Sequence, residues 1–211
     1  MSPAPRRRVV RAAGAAVLVV LLAACGSNLA GNALSAGPTS VSDAQLSAIV
    51  DELQQQLVAL KQQSPTFDEG TATGANVDRL MRQALLDQAA AREGIEVTQG
   101  EVDTILQQVA DANFGGDMKQ VENALAEQQN IPASQIDGFA RAYLVQQKLG
   151  AKLAPGKDAT EQQKAVVAYL DALATDVDAQ VAPRFGVWNA KTASLTPVPD
   201  DLSVLAPLPT E

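Results

Sequence analysis

Leu46, Ile49, Val50, Leu53, Leu57 and Leu60 stand three or four residues apart, on one face of a helix. Ser42 just before them is a natural N-cap, with Gln45 as its capping-box partner and Val41 and Leu46 at the hydrophobic-staple positions. The pattern stops in KQQSPTFDEGTATGAN, whose Pro, Gly, Ser and Thr predict a flexible loop. Val77, Leu80, Met81, Ala84 and Leu85 predict a second helix from Asn76 to Glu93, and Gly94 suits the left-handed residue that ends it. Ile95-Glu96-Val97 reads as a short extended link. Thr98 and Glu101 then form a second capping box, with Val97 and Val102 as its staple. Val102, Ile105, Leu106 and Val109 carry the third helix, which Phe114-Gly115-Gly116 breaks.

Met118, Val121 and Leu125 mark a fourth helix. Asn130-Ile131-Pro132 precedes a fifth, because proline suits a helix start. That fifth helix carries Ile136, Phe139, Ala140, Tyr143, Leu144 and Leu149, and Pro155-Gly156 ends it. Thr160 is the predicted cap of a sixth helix, whose stripe runs Val166, Tyr169, Leu170, Leu173, Val177 and Val181 until Pro183 stops it. One strand is predicted near Ala30–Leu34, and Arg184 to Trp188 reads as a strand followed by a turn through Thr192. The apolar stripes share no fixed period, so the chain is not a solenoid. The predicted fold is mainly α, six helices with a small β element formed near the two ends of the mature chain.

The N-terminus changes the picture. Arg6, Arg7, Arg8 and Arg11 precede an uncharged Ala/Val/Leu-rich run from Ala12 to Ala24. That run is shorter than the ~20 residues a membrane-spanning helix needs, and it fits a secretory signal with small residues before the cleavage point. Leu22-Ala23-Ala24-Cys25 resembles the bacterial lipobox. The resemblance implies cleavage before Cys25 and lipidation of its sulfur, hence an exported protein anchored to the outer face of the cell membrane. The expected organisation is a signal peptide over 1–24, a lipidated tether over 25–40, a helical domain over 41–197 and a Pro-rich tail over 198–211.

Charge and absent residue types narrow the chemistry. Residues 1–24 contain four of the basic residues and none of the acids, so 12 basic against 24 acidic side chains remain, a net charge of −12. Nucleic acid and anionic membrane surfaces are therefore disfavoured as electrostatic partners. Charge alone leaves positively charged clients open without selecting them, and salt should weaken binding mainly for such clients. The chain has no histidine and one cysteine, so it has no Ser-His-Asp triad, no His-based zinc site and no disulfide. No phosphate-binding or dinucleotide glycine motif occurs. Asp176/Asp178 and Asp200/Asp201 read as solvated carboxylates. No catalytic residue, metal or cofactor is expected.

The block VDRLMRQALLDQAAAREGIEVTQGEVDTILQQV, a helix closed by A-x-x-x-G-I with a capping box opening the next, resembles SurA-type N-terminal domains. Related blocks occur in PrsA foldases and the chaperone domain of trigger factor. IPASQIDGFARAYLVQQKLGAKL is similar to the arm that follows, and VAPRFGVWNAKTASLTP to the closing segment. The likeness spans roughly 30–197. The prolyl-isomerising relatives place a parvulin domain between the fifth and sixth helices, where this chain has only GAKLAPGKDATEQQ. Ala182 also stands where the family pattern has asparagine before Pro183. The resemblance implies an ATP-independent chaperone module for unfolded or exported polypeptides, without the isomerase. The alternative is a helical adaptor or carrier with one fixed partner or ligand; an isomerase lacking its usual domain comes third.

Adaptable side chains suit a surface whose clients vary, which makes Met81, Phe114, Met118, Phe139 and Tyr143 the candidate client-binding residues. The plainer reading of each is helix–helix core. Phe185 and Trp188 are expected to anchor the segment after Pro183, with Arg184 a buried ion-pair donor. Ser42, Gln45, Gly94, Thr98 and Glu101 are structural. For the anchor, Cys25→Ser is expected to abolish metabolic lipid labelling and release the protein from the membrane fraction or leave its signal uncleaved. Unchanged labelling would contradict the lipoprotein reading.

Overall fold

A computed structural model describes residues 29–60 and 67–196. Cys25, the signal run, the start of the tether, positions 61–66 and the Pro-rich tail lie outside the described residues. The described chain is mainly helical, with six α-helices and two small antiparallel sheets.

Two strands open the domain, β1 (Asn32–Ala36) and β2 (Thr39–Ser42). They pair in antiparallel register, Leu34 opposite Val41 and Ala36 opposite Thr39. β1 lies two residues beyond the predicted strand, and β2 was not predicted. Thr39–Ser42 is short and merges with a helix start, so its alternation never shows as a separate pattern. Ser42 ends β2 and caps α1 (Asp43–Leu60) in the same residue: its N–H donates to Gln45 Oε1 at 2.8 Å and its Oγ accepts from Gln45 N at 3.2 Å.

α2 (Glu69–Glu93) starts seven residues before the predicted boundary. Asp68 is the N-cap, its Oδ1 accepting from Thr71 N at 3.0 Å, and this cap holds a helical turn through Gly70 and Gly74. Ala72 and Asn76 are buried by that extension. Beyond them Val77, Leu80, Met81, Ala84, Leu85, Leu86 and Ala89 are all buried. These positions are too many for one stripe, so α2 must be enclosed. α1, α5 (Ile136–Leu153), α6 (Ala159–Asp176), β1 and β5 (Ser194–Thr196) pack around it.

The junction after α2 is built as its residues predict. Gly94 is left-handed with φ 62°, and Thr98 and Glu101 form a reciprocal capping box that opens α3 (Gln99–Phe114). α5 clamps this link from outside with three cations. Arg141 Nη1 donates to Val97 O at 2.5 Å, Lys148 Nζ to Glu96 O at 2.7 Å and Lys152 Nζ to Glu93 O at 2.6 Å. Glu93 O is one of the carbonyls left open where α2 ends, and Glu96 O and Val97 O belong to the extended link; all three are thereby satisfied by positive charge. α3 and α4 (Met118–Gln129) form a hairpin, α3 resting on α5 and α4 on α1. A single 3₁₀ turn, Ala133–Gln135, follows Pro132, so α5 begins four residues after the proline.

Asp158 rather than Thr160 caps α6, accepting from Glu161 N at 2.9 Å. A carboxylate at the N-cap also meets the helix dipole, which Thr160 inside the first turn cannot do as well. α6 ends at Asp176, before Pro183. Asp178 turns left-handed (φ 51°), and Val181 lies in β3 (Gln180–Val181) instead of continuing the helical stripe. β3 pairs with β1, Leu34 opposite Val181, giving the order β2-β1-β3. A strand at the start of the described chain thus shares a sheet with one that follows α6.

After a 3₁₀ turn at Pro183–Phe185, β4 (Val187–Asn189) and β5 form a hairpin where one strand and a turn are predicted. Gly186 adopts φ 128°, and a Cβ there would lie 2.4 Å from Thr196 O. Phe185 and Trp188 are half-buried against the main core. Arg184 does form an ion pair, with Asp43, but both side chains are exposed and the guanidinium lies 4.5 Å over the Phe185 ring. The expected burial of Arg184 is therefore absent, because the pair joins the exposed start of α1 to an exposed turn.

The Lys148 ammonium beside Glu101, with the Thr98 N–H, holds the Glu101 carboxyl down at about 2 against an ordinary 4.5. A depressed carboxylate stabilises the fold above its unfolded pKa, and that stability is lost as pH falls through the folded value. The denaturant midpoint is therefore expected to fall between about pH 4.5 and pH 2. Glu101→Gln, measured by urea unfolding across that window, is expected to show a smaller fall than the unsubstituted chain.

Candidate functional site

α2 is enclosed on most sides, but one face stays open. Asp78, Arg79, Arg82, Gln83 and Leu86 lie along it at helical spacing. Phe139, Ala142, Tyr143 and Gln146 face them from α5, again one face of a helix, and Gln129 with Ile131 closes one end. Together they form an open groove of about 350 Å³. Its apolar walls are Leu86, Ile131, Phe139, Ala142 and Tyr143, and Tyr143 remains 45% exposed.

The end wall is positioned by a buried amide. Asn76 is fully buried; its Nδ2 donates to Ala72 O at 2.9 Å and to Asn130 O at 3.1 Å. Asn130 is left-handed (φ 56°) where α4 ends, and Ile131 follows it into the groove. Asn76 Oδ1 accepts from Arg79 Nη2 at 2.6 Å. The same residue thus ties α4 to α2 and aims the guanidinium.

Two groups on this face lack partners. Arg79 Nη1 is buried without a hydrogen-bond partner, and so is Gln83 Oε1 one turn along. Burial pushes the Arg79 guanidinium down to about 10, which leaves it charged at neutral pH. An unpaired buried donor or acceptor costs about 1–3 kcal/mol. Gln83 is also pressed against α5, where a Cβ on Gly138 would stand 2.7 Å from its Nε2. Both oxygens of Asp78 are by contrast engaged: one accepts from Arg82 Nη2 at 2.9 Å and the other from Leu195 N at 2.7 Å. That second bond docks the β4–β5 hairpin on the groove's edge.

Of the candidate client-binding residues, Phe139 and Tyr143 meet in the groove. Met81 does not: it is fully buried in the main core, on the side of α2 that the other elements cover. Phe114 and Met118 flank the α3–α4 turn, half-buried and outside the groove lining. Cys25 lies outside the described residues. Arg79 and Gln83 were not singled out from sequence. The available signal was α2's double-width apolar pattern, which leaves its few polar positions confined to a narrow face.

The arrangement binds by apolar contact and hydrogen bonding. Among the described residues no three metal-ligating side chains come together, and no helix is long and apolar enough to cross a membrane. No family model, curated protein or solved structure matches the chain.

Core and groove roles separate by substitution. Met81→Ala is expected to cost about 2–5 kcal/mol, the range for emptying a packed site. Tyr143→Ser is expected to change stability by no more than about 0.5 kcal/mol, as for exposed positions. Urea unfolding of the two variants measures both.

Proposed function

We propose that this chain is a membrane-anchored, extracytoplasmic chaperone-like protein that holds extended segments of unfolded or exported polypeptides without ATP. The observation that carries this reading is the pairing of chemistries in the groove. A peptide group needs one donor and one acceptor satisfied, and the groove combines an unpartnered donor, Arg79 Nη1, with an unpartnered acceptor, Gln83 Oε1. Around them Leu86, Ile131, Phe139 and Tyr143 offer apolar surface that does not depend on a particular side-chain sequence. Further support comes from the resemblance of residues 30–197 to SurA-type N-terminal domains and from the export signal ahead of Cys25.

The α5–α6 connection, Ala154–Asp158, is too short to hold a catalytic insert, which supports a binding role without isomerisation. A second reading, a carrier for one small ligand, draws on the groove's volume, which falls within the ~300–1,000 Å³ typical of small-molecule sites.

Residues 26–211, which include every described element, are expected to suppress aggregation of several unfolded exported proteins without ATP. The double variant Phe139→Ala/Tyr143→Ala is expected to lose most of that effect, and prolyl isomerisation of a short peptide is expected to stay uncatalysed. Aggregation at an unchanged rate with a molar excess of protein would rule out the chaperone reading.

A further inference from the structure

The chain is strongly acidic, yet its groove is not. The charged side chains lining it are Asp78, Arg79 and Arg82. Asp78 and Arg82 neutralise each other at 2.9 Å, and Asp78's remaining bonded oxygen is taken by Leu195 N. Arg79 has only the neutral Asn76 amide as a partner, and no carboxylate among the described residues pairs with it. One guanidinium is thus left without a counter-ion, beside Phe139 and Tyr143.

We propose that the groove selects polypeptide segments in which a side-chain carboxylate, Asp or Glu, stands next to an aromatic or aliphatic residue. This rests on the polypeptide-binding reading above and adds the chemistry of the segment. The apolar neighbour lies against Leu86, Phe139 and Tyr143. The carboxylate draws Arg79 Nη1 out from beneath the groove floor. Gln83 Oε1, one turn away, is the competing partner for that N–H after a side-chain rotation. The carboxylate prevails because a charge-assisted hydrogen bond is about twice as strong as a neutral one, and guanidinium matches carboxylate in two-pronged geometry. Overall charge would point to basic clients. Local charge decides instead, because the ligand's carboxylate bonds directly to Arg79, whereas exposed charges farther away than the ~8–10 Å screening length are largely screened.

The test uses acetylated, amidated eight-residue peptides, so that only a side chain supplies the carboxylate. One carries a single Asp between Phe and Leu, one Asn at that position and one Lys. Binding to residues 26–211 is read by fluorescence anisotropy. The Asp peptide is expected to bind about tenfold more tightly than the Asn peptide, with Lys weakest. Arg79→Gln is expected to erase the Asp preference, bringing the Asp and Asn peptides to the same affinity. Asp78→Asn keeps an acceptor for Leu195 N and leaves the Asn76 network intact; it is expected to strengthen the Asp preference, and so serves if Arg79→Gln fails to fold. Tyr143→Ala is expected to weaken all three peptides alike.

Equal binding of the three peptides, preference for Lys, or insensitivity to Tyr143→Ala would overturn the selection rule while leaving polypeptide binding in place. No binding up to about 1 mM, together with failure to suppress aggregation, would remove the polypeptide reading itself.

Discussion

The enclosure of α2 is the constraint on which the other elements depend. Val77, Leu80, Met81, Ala84, Leu85, Leu86 and Ala89 present apolar surface over far more than one stripe, and burying it requires neighbours on several sides. α1, α5, α6 and β1 supply them. Full burial of the Val, Leu and Met side chains among them is worth roughly 1.5–3 kcal/mol each, together far more than any single cap or surface ion pair here. The partly or fully exposed pairs Arg82–Asp78, Arg92–Asp176 and Lys164–Glu161 add little stability.

The groove is a by-product of the same enclosure. A helix that must also carry Asp78, Arg79, Arg82 and Gln83 can be covered on every face but theirs. α5 approaches that face only as far as Gly138 and Phe139 permit, and Asn76 fixes the end wall by bridging to Asn130. Polar groups that in a surface helix would be fully hydrated are held at a half-covered boundary, where two of their atoms go unpaired. Such an arrangement is stable only because the surrounding packing outweighs it, and it is the place where a ligand has most to offer.

Much of the fold was legible because local chemistry and tertiary packing agree. Ser42/Gln45, Gly94 and Thr98/Glu101 are read from four or five residues, and each forms the predicted cap. Misreadings fall where a competing cap nearby, as at Asp158, or a distant contact overrides a local preference. Gly70 and Gly74 argue against a helix, yet Asp68 caps one and Ala72 and Asn76 are buried against other elements. Val177 and Val181 continue a helical spacing, yet Val181 is claimed by Leu34 in a sheet. Half of the groove was legible in Phe139 and Tyr143. Arg79 and Gln83 were not, because their lack of partners is a fact of three-dimensional packing that no spacing encodes.

β1 has one partner nearby and one far away. β2 follows within a few residues, whereas β3 arrives roughly 150 residues later, a separation that makes closure slow. A chain emerging N-terminus first at ~5–20 residues per second leaves one edge of β1 open for roughly 7 to 30 s. An open edge is a template for pairing with foreign strands, and Ala33, Leu34, Ser35 and Ala36, all buried in the finished domain, are its most apolar part. During its own synthesis this chain therefore exposes a sticky seam of the kind a chaperone shields, and it seals that seam only when Gln180 and Val181 have arrived.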